Sequence, residues 1–238
     1  MSFYSEFAPY YEQVFPFREE VYAFLKDYAG EQGNAVLDLG CGTGHYCGMF
    51  ARDGYACTGI DLDRGMVDAA ARSYPQASFR LMDIADAGRL QGSFDMAYSI
   101  GNVLAHLPQS GFSRLLQAVH SLLHPEGSWI FQTVNWDRLL GFGEYRFPVK
   151  TMDGGAMTFH RLYSGISPER AVFSFSLMKG DSALFSEQVS LYPATSEQLL
   201  KLHRKAGFGH RGSYGGFDGV RFVAEQSSAL VMVFRKKN

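Results

Sequence analysis

Val36-Leu37-Asp38-Leu39-Gly40-Cys41-Gly42-Thr43-Gly44 decides how this chain is read. A stretch of strand character runs into three glycines at alternate positions, and an amphipathic segment, 45–53, follows at once. A strand, a tight turn and the start of a helix bring a nucleotide-like ligand against bare backbone. Glycine suits such a turn because, without a Cβ, it reaches positive φ and lets a ligand approach the main chain. A plain βα turn is the alternative reading of the loop by itself. The next strand-like run, 55–61, ends in Asp61, which a βαβ unit sets beside the loop, where it can accept both hydroxyls of a ribose. That spacing fits a dinucleotide site. The glycine pattern does not: dinucleotide binding uses G-x-G-x-x-G, whereas this chain has G-x-G-x-G with Asp38 two residues ahead of it.

Outward from this segment, apolar periodicity alternates between strand and helix. Strands are expected at 35–39, 55–60, 78–82, 96–100 and 128–134, with helices from 44, over 64–74 and over 111–123. This alternation argues for a doubly wound α/β fold, a seven-stranded Rossmann-like parallel sheet closed by an antiparallel pair at 210–215 and 229–235, with a helix at 196–206 ahead of it. Residues 3–29 read as two helices split at Pro16, one side aromatic. From Glu144 the pattern changes to short apolar and polar alternation between turns at 153–155, 167–170 and 179–181, an inserted antiparallel sheet of three or four strands. The domain reading is an N-terminal helical lid at 1–30, a core at 31–143 and 193–238, and an inserted sheet at 144–192 that serves the substrate or a homodimer contact.

The 238 residues carry a net charge of −2 with no basic tract, which disfavours a nucleic-acid partner. Three cysteines, at 41, 47 and 57, make no disulfide framework or C-x-x-C pair and read as reduced residues of a cytoplasmic protein. No run approaches a membrane span, the N-terminus has no leader pattern, and no His, Cys or carboxylate spacing suggests a metal.

The segment 36–44 resembles motif I of the class I S-adenosylmethionine (SAM) methyltransferases. The resemblance extends through Gly101-Asn102-x-x-Ala105-His106-Leu107-Pro108, Asn135-Trp136-Asp137, Ser190-Leu191-Tyr192-Pro193 and Gly215-Gly216-Phe217, segments similar to those of glycine N-methyltransferases; sugar N-methyltransferases have similar inserted sheets. It implies SAM as cofactor and a set of roles. Asp38 faces the cationic end of the methionine part, and the turn Gly40, Cys41, Gly42, Gly44 supplies N–H groups to its carboxylate. Asp61 holds the ribose, Leu62 and Met66 wall the adenine, and Asp83 and the Ile84 N–H read its edge. Ser99 and Ile100 touch the methionine portion. Asp63 reads instead as a helix N-cap.

For the acceptor, Tyr11, Asn135 and Tyr192 are the expected lining, with Phe159, Tyr163, Phe173 and Phe175 as an aromatic wall, core packing or a dimer face. Where the glycine enzymes place a carboxylate-gripping arginine, this chain has Gln188, a neutral amide, and no basic residue lies within 184–192. Glycine is therefore expected to be a poor acceptor, and a larger or less anionic amine a better one. His106 is a weak candidate base or a loop-ordering residue. The function expected is methyl transfer to the nitrogen of a small molecule. O-methylation with His106 as base is one alternative, and a non-catalytic SAM-binding regulator is the other.

Overall fold

The computed structural model describes residues 7–237; positions 3–6 of the expected first helix lie outside them. After a 3-10 turn, Ala8–Tyr10, come α1 (Tyr11–Val14) and α2 (Glu19–Lys26), separated at Pro16. Then follow β1 (Ala35–Leu39), α3 (His45–Arg52), β2 (Ala56–Asp61), α4 (Arg64–Ser73), β3 (Ser78–Leu81), β4 (Phe94–Ser99), α5 (Gln109–Leu122) and β5 (Leu123–Val134). The central part holds α6 (Trp136–Leu139), β6 (Glu144–Arg146), β7 (Lys150–Met152), β8 (Met157–Ser164), β9 (Ala171–Lys179) and β10 (Ser182–Leu191). The chain closes with α7 (Ser196–Lys205), β11 (Phe208–Tyr214) and β12 (Ala229–Lys236).

Seven strands form one sheet in the order β11-β12-β5-β4-β1-β2-β3. β1 pairs β2 and β4 in parallel, and β12 joins β5 antiparallel. Both faces of the parallel part are covered, so β1 is apolar on both sides: Val36, Leu37 and Leu39 are fully buried. Val36 belongs to the apolar layer beneath α2 and α3, Leu37 and Leu39 to the layer beneath α5 and α7. The second layer contains His203, stacked on Phe234 at 4.1 Å; Trp129 donates to its Nε2, and burial drives its pKa down to about 3. Because the strands run parallel, the carboxyl ends of β1, β2 and β4 meet on one edge, where open α/β sheets receive ligands.

Several boundaries differ from expectation, three of them for identifiable reasons. β4 begins at Phe94 and β5 at Leu123, because Phe94 pairs with Leu123 before the register jumps to Met96–Ser128. The segment 124–127 bulges out between these pairs, with Glu126 at φ 61°. The second sheet has five strands, not three or four: β10-β9-β8-β6 in line, with β7 also on β8. Pro148 explains the extra break, since it offers no N–H to the ladder between β6 and β7. The 3-10 turns Ile84–Arg89 and Val103–His106 are too short to leave a period in sequence.

Candidate functional site

The glycine loop crosses the carboxyl end of β1 with Gly40, Gly42 and Gly44 all at positive φ. Two of them are also sterically required. A Cβ on Gly40 would lie 2.7 Å from the Val103 side chain, and one on Gly44 would lie 2.6 Å from the Phe79 ring. The loop's amides are not the free donors expected of them. Gly40 and Cys41 donate to the Ile60 carbonyl, Gly44 to the Cys41 carbonyl, and Gly42 to Asp61 Oδ2 at 2.8 Å. What remains for an anion is the first turn of α3, where N–H groups have no intrahelical partner.

Two carboxylates sit under this loop. Asp38 is buried; Tyr98 donates to its Oδ2 at 2.8 Å, and its Oδ1 has no hydrogen-bond partner. Burial pushes its pKa up to about 8, against the Tyr98 hydrogen bond, with the Asp61 charge adding to the rise. Asp61 ends β2 and accepts from Gly42 N through Oδ2 and from Asp63 N through Oδ1 at 2.9 Å. Burial raises its pKa, while the N–H groups of Asp63 and Gly42 hold it down. Each Asp61 oxygen keeps a second lone pair for a hydroxyl. Leu62, next in sequence, is 71% exposed, a large apolar side chain open to a ligand. A cofactor with an ammonium at one end, a ribose and a flat apolar ring fits this set: the orphaned Asp38 oxygen matches the cation and Asp61 the ribose.

Other residues expected at the site also make contacts inside the fold. Ser99 donates its hydroxyl to the Leu39 carbonyl at 2.7 Å, fastening β4 to β1. Met66 is 1% exposed and packs among Phe7, Val14 and Phe159, so it is core under the N-terminal segment rather than an open wall. Asp83 accepts from Ala85 N and caps the turn Ile84–Arg89; Ile84 is buried in the α5 layer. Ile100 packs against the opposite layer. Asp63 is the N-cap of α4, accepting from Met66 N at 2.9 Å. Asn135 is buried and has no donor left for an acceptor. Its Nδ2 donates to the carbonyls of Ala224 and Ser227, and its Oδ1 accepts from Arg138 N. With Asp137 gripping Ser196, the Asn-Trp-Asp segment ties β5 to α7.

The loop after β4, named in the resemblance but given no role for Asn102, holds a node. Asn102 stands at φ 66°, which Asn tolerates better than most side chains. Its Oδ1 accepts from Thr133 Oγ1 at 2.7 Å and Val134 N at 3.1 Å, and its Nδ2 donates to the Tyr163 hydroxyl at 3.2 Å. One side chain thus joins β4, β5 and the second sheet at the ligand edge. His106, four residues on, is pushed below its ordinary pKa by burial alone. Tyr192 projects from the end of β10; its N–H donates to the Ala105 carbonyl, and its ring lines a 550 Å³ groove with Leu104, Phe112 and Trp136.

The second sheet turns its aromatic face inward. Tyr163 and Phe173 meet edge to face at 5.1 Å, Phe173 and Phe175 lie 4.7 Å apart, and Phe159 stacks on Phe7 at 5.4 Å. This row packs against the N-terminal segment and the core. Gln188 does not belong to it. It pairs with Ser174 on the opposite, solvent side, while Glu187 pairs with Phe175 on the inner face. Residues of the N-terminal segment close over the loop: Tyr11 lies where a Cβ on Gly42 would come within 3.2 Å of it, and Thr43 donates to Glu12 at 2.9 Å. Among the described residues no helix is long and apolar enough to cross a membrane, and no group of three His, Cys, Asp or Glu side chains could hold a metal ion.

This arrangement has counterparts in known proteins. Residues 36–127 match the model of a methyltransferase domain. A ubiquinone biosynthesis O-methyltransferase of Xanthomonas axonopodis pv. citri is 35% identical over 108 residues, 43% of this chain and 44% of that protein. The chain thus spans less than half the length of that relative. A SAM-dependent methyltransferase structure from Clostridium acetobutylicum superposes with TM-score 0.82 at 14% identity, covering 100% of both chains. The sugar N-methyltransferase KedS8 from a Streptoalloteichus species gives 0.71 at 18% identity over 96% of this chain and 91% of that one. Residues 36–127 thus match a methyltransferase domain, and the whole chain shares the fold of the SAM-dependent methyltransferase structures on which it superposes.

Proposed function

We propose that this protein transfers the methyl group of SAM to a small molecule, at an amine nitrogen. The orphaned Oδ1 of buried Asp38 carries the reading: a carboxylate oxygen with no partner beneath a glycine loop calls for a cation. In this reading Asp38 takes the cofactor's ammonium, Asp61 its ribose hydroxyls and Leu62 one face of its adenine. The bound cofactor supplies a methyl group already activated on a sulfonium sulfur. The protein's remaining work is to align an acceptor lone pair at about 3 Å and to exclude water. Tyr11, set against Gly42, supplies an electron-rich ring over the loop, which suits a cationic sulfonium and an amine. Among the acceptor residues expected from sequence, Tyr11 keeps its place, Tyr192 is assigned to the adjoining groove, and Asn135 and Gln188 are withdrawn. The test is a metabolite extract incubated with labelled SAM, followed by mass spectrometry of the labelled product. Label on nitrogen supports the proposal; no labelled small molecule from an extract rich in amines would overturn it.

One observation favours O-methylation as the second reading. His106 beside the ligand edge is held neutral by burial, as a base for a hydroxyl needs to be. Label on oxygen, lost with His106→Ala, is its signature.

The raised pKa of Asp38 makes cofactor binding pH-dependent. At pH 7 the free carboxyl is largely protonated, because burial sets its pKa at about 8; a bound ammonium favours the ionised form. S-adenosylhomocysteine should therefore release a proton on binding at pH 7, and its affinity should rise roughly tenfold per pH unit below 8 and level off above. Calorimetry in buffers of different ionisation heat measures the proton directly. The same shift works the other way on the free protein: a carboxyl raised in the folded state contributes stability below pH 4 that is lost as pH rises through 8.

A further inference from the structure

We propose that Arg161, assisted by Lys150, recognises an anionic group of the methyl acceptor at the junction of the second sheet and the N-terminal segment. The proposal rests on the methyl-transfer reading above and adds the acceptor's charge to it. Both residues lie on the inner face of that sheet. Along β8 the residues Met157, Phe159, Arg161 and Tyr163 alternate onto one side, and Lys150 pairs with Phe159 on β7. Arg161 pairs with Phe175 and through it shares a row with Glu187, the face that also carries Tyr163 and Phe173.

The guanidinium is held and partly buried but not neutralised by an ion pair among the described residues. Its Cζ sits 4.7 Å from the Phe147 ring centre and 5.9 Å from that of Phe159, which fixes its plane. Its Nε is buried without a hydrogen-bond partner, and Nη2 reaches only the Pro148 carbonyl, at 3.5 Å. None of the ion pairs among the described residues involves it. Glu187 lies two strands away across Phe175, about 10 Å by strand spacing, and no ion pair among the described residues joins the two. Lys150 donates to the Val14 carbonyl at 2.6 Å and lies 4.6 Å from the Phe15 ring centre; it too has no carboxylate. Burial lowers the pKa of both cations, and Arg161 lowers that of Lys150 further by repulsion.

Two like charges partly withdrawn from water side by side repel each other, and an anion between them would relieve that repulsion. Arginine's planar fork, stacked by its face, leaves N–H edges for a carboxylate or a phosphate. The placement also sets a length. Arg161 is two residues along the strand from Tyr163, about 7 Å, and the Tyr163 hydroxyl is the one bonded to Asn102 at the ligand edge. An acceptor that reaches both places has its amine and its acid several bonds apart. Glycine, with one carbon between them, is too short, so it stays a poor acceptor although a cation is present.

The probes are phenylacetate, phenyl phosphate and the neutral phenylacetamide, titrated by calorimetry into the full chain saturated with S-adenosylhomocysteine. We expect at least one anion to bind ten times tighter than the amide or better. Arg161→Gln should erase that preference, Arg161→Lys should keep part of it, and Lys150→Met should weaken it several-fold. All three variants should bind S-adenosylhomocysteine as the wild type does. A preference for only one of the two anions identifies the acidic group as carboxylate or phosphate. Equal binding of charged and neutral probes, or a preference that survives Arg161→Gln and Lys150→Met, overturns the proposal. Should Arg161→Gln not fold, Arg161→Lys and Lys150→Met decide by the same comparison. Failure to bind S-adenosylhomocysteine at all would sink the methyl-transfer reading instead, and the anion titration on the free chain would still stand as its own test.

Discussion

Removing residues 1–15 is expected to abolish methyl transfer and leave the seven-stranded sheet folded. In the described part of this segment Phe7 and Val14 are buried, yet their partners are Met66 and the inner face of the second sheet, not the parallel sheet. Tyr11 covers Gly42, and Glu12 receives the Thr43 hydroxyl. The segment therefore closes the ligand edge without supporting the core on which α2, α3, α5 and α7 pack. Opening that edge admits water and frees the acceptor, and a misplacement of about 1 Å alone costs around a hundredfold in rate. The truncated chain should keep a cooperative thermal transition and native far-ultraviolet dichroism while turnover of labelled SAM falls by about a hundredfold or more. Full activity after truncation would refute a closing role for this segment.

Asp61→Ala is expected to weaken S-adenosylhomocysteine by roughly 10- to 150-fold, about 1.5–3 kcal/mol for lost hydrogen bonds to a charged group. The side chain does two things at once. It accepts from Gly42 and Asp63, which shapes the loop, and in the proposed role it accepts from the ribose. Asp61→Asn separates these parts, since the amide keeps one acceptor oxygen for the loop and loses the charge. Calorimetry gives the affinity and thermal melting the fold. A loss under about threefold for Asp61→Ala would mean that the ribose is held elsewhere.

The local physics of this chain was written in its sequence. The apolar run 36–39 followed by alternate glycines needs no partner to be read as a strand entering a tight turn, and β1 runs over 35–39 as expected. Asp63, followed by an amphipathic run, caps α4 as its side-chain chemistry dictates. Thr195, with Gln198 three residues on, forms a capping box at α7 for the same reason.

Tertiary structure decided which polar atoms were left over. Ser99 and Asn135 look like ligand contacts by position, but Leu39, Ala224 and Ser227 take up their donors. Asp38 looks no different in sequence and emerges with one oxygen unclaimed. The second sheet shows the same division. Side chains alternate with period two along a strand, so a shift of one residue changes the face: the resemblance pointed to Gln188, but Glu187 is the residue opposite Phe175. Arg161, outside the aligned stretch, reaches the inner face only because β8 pairs between β9 and β7. Alternation and capping act over a few residues and are legible along the chain. Whether a buried donor, acceptor or charge has a partner depends on residues far away in sequence, and only the folded chain brings those together.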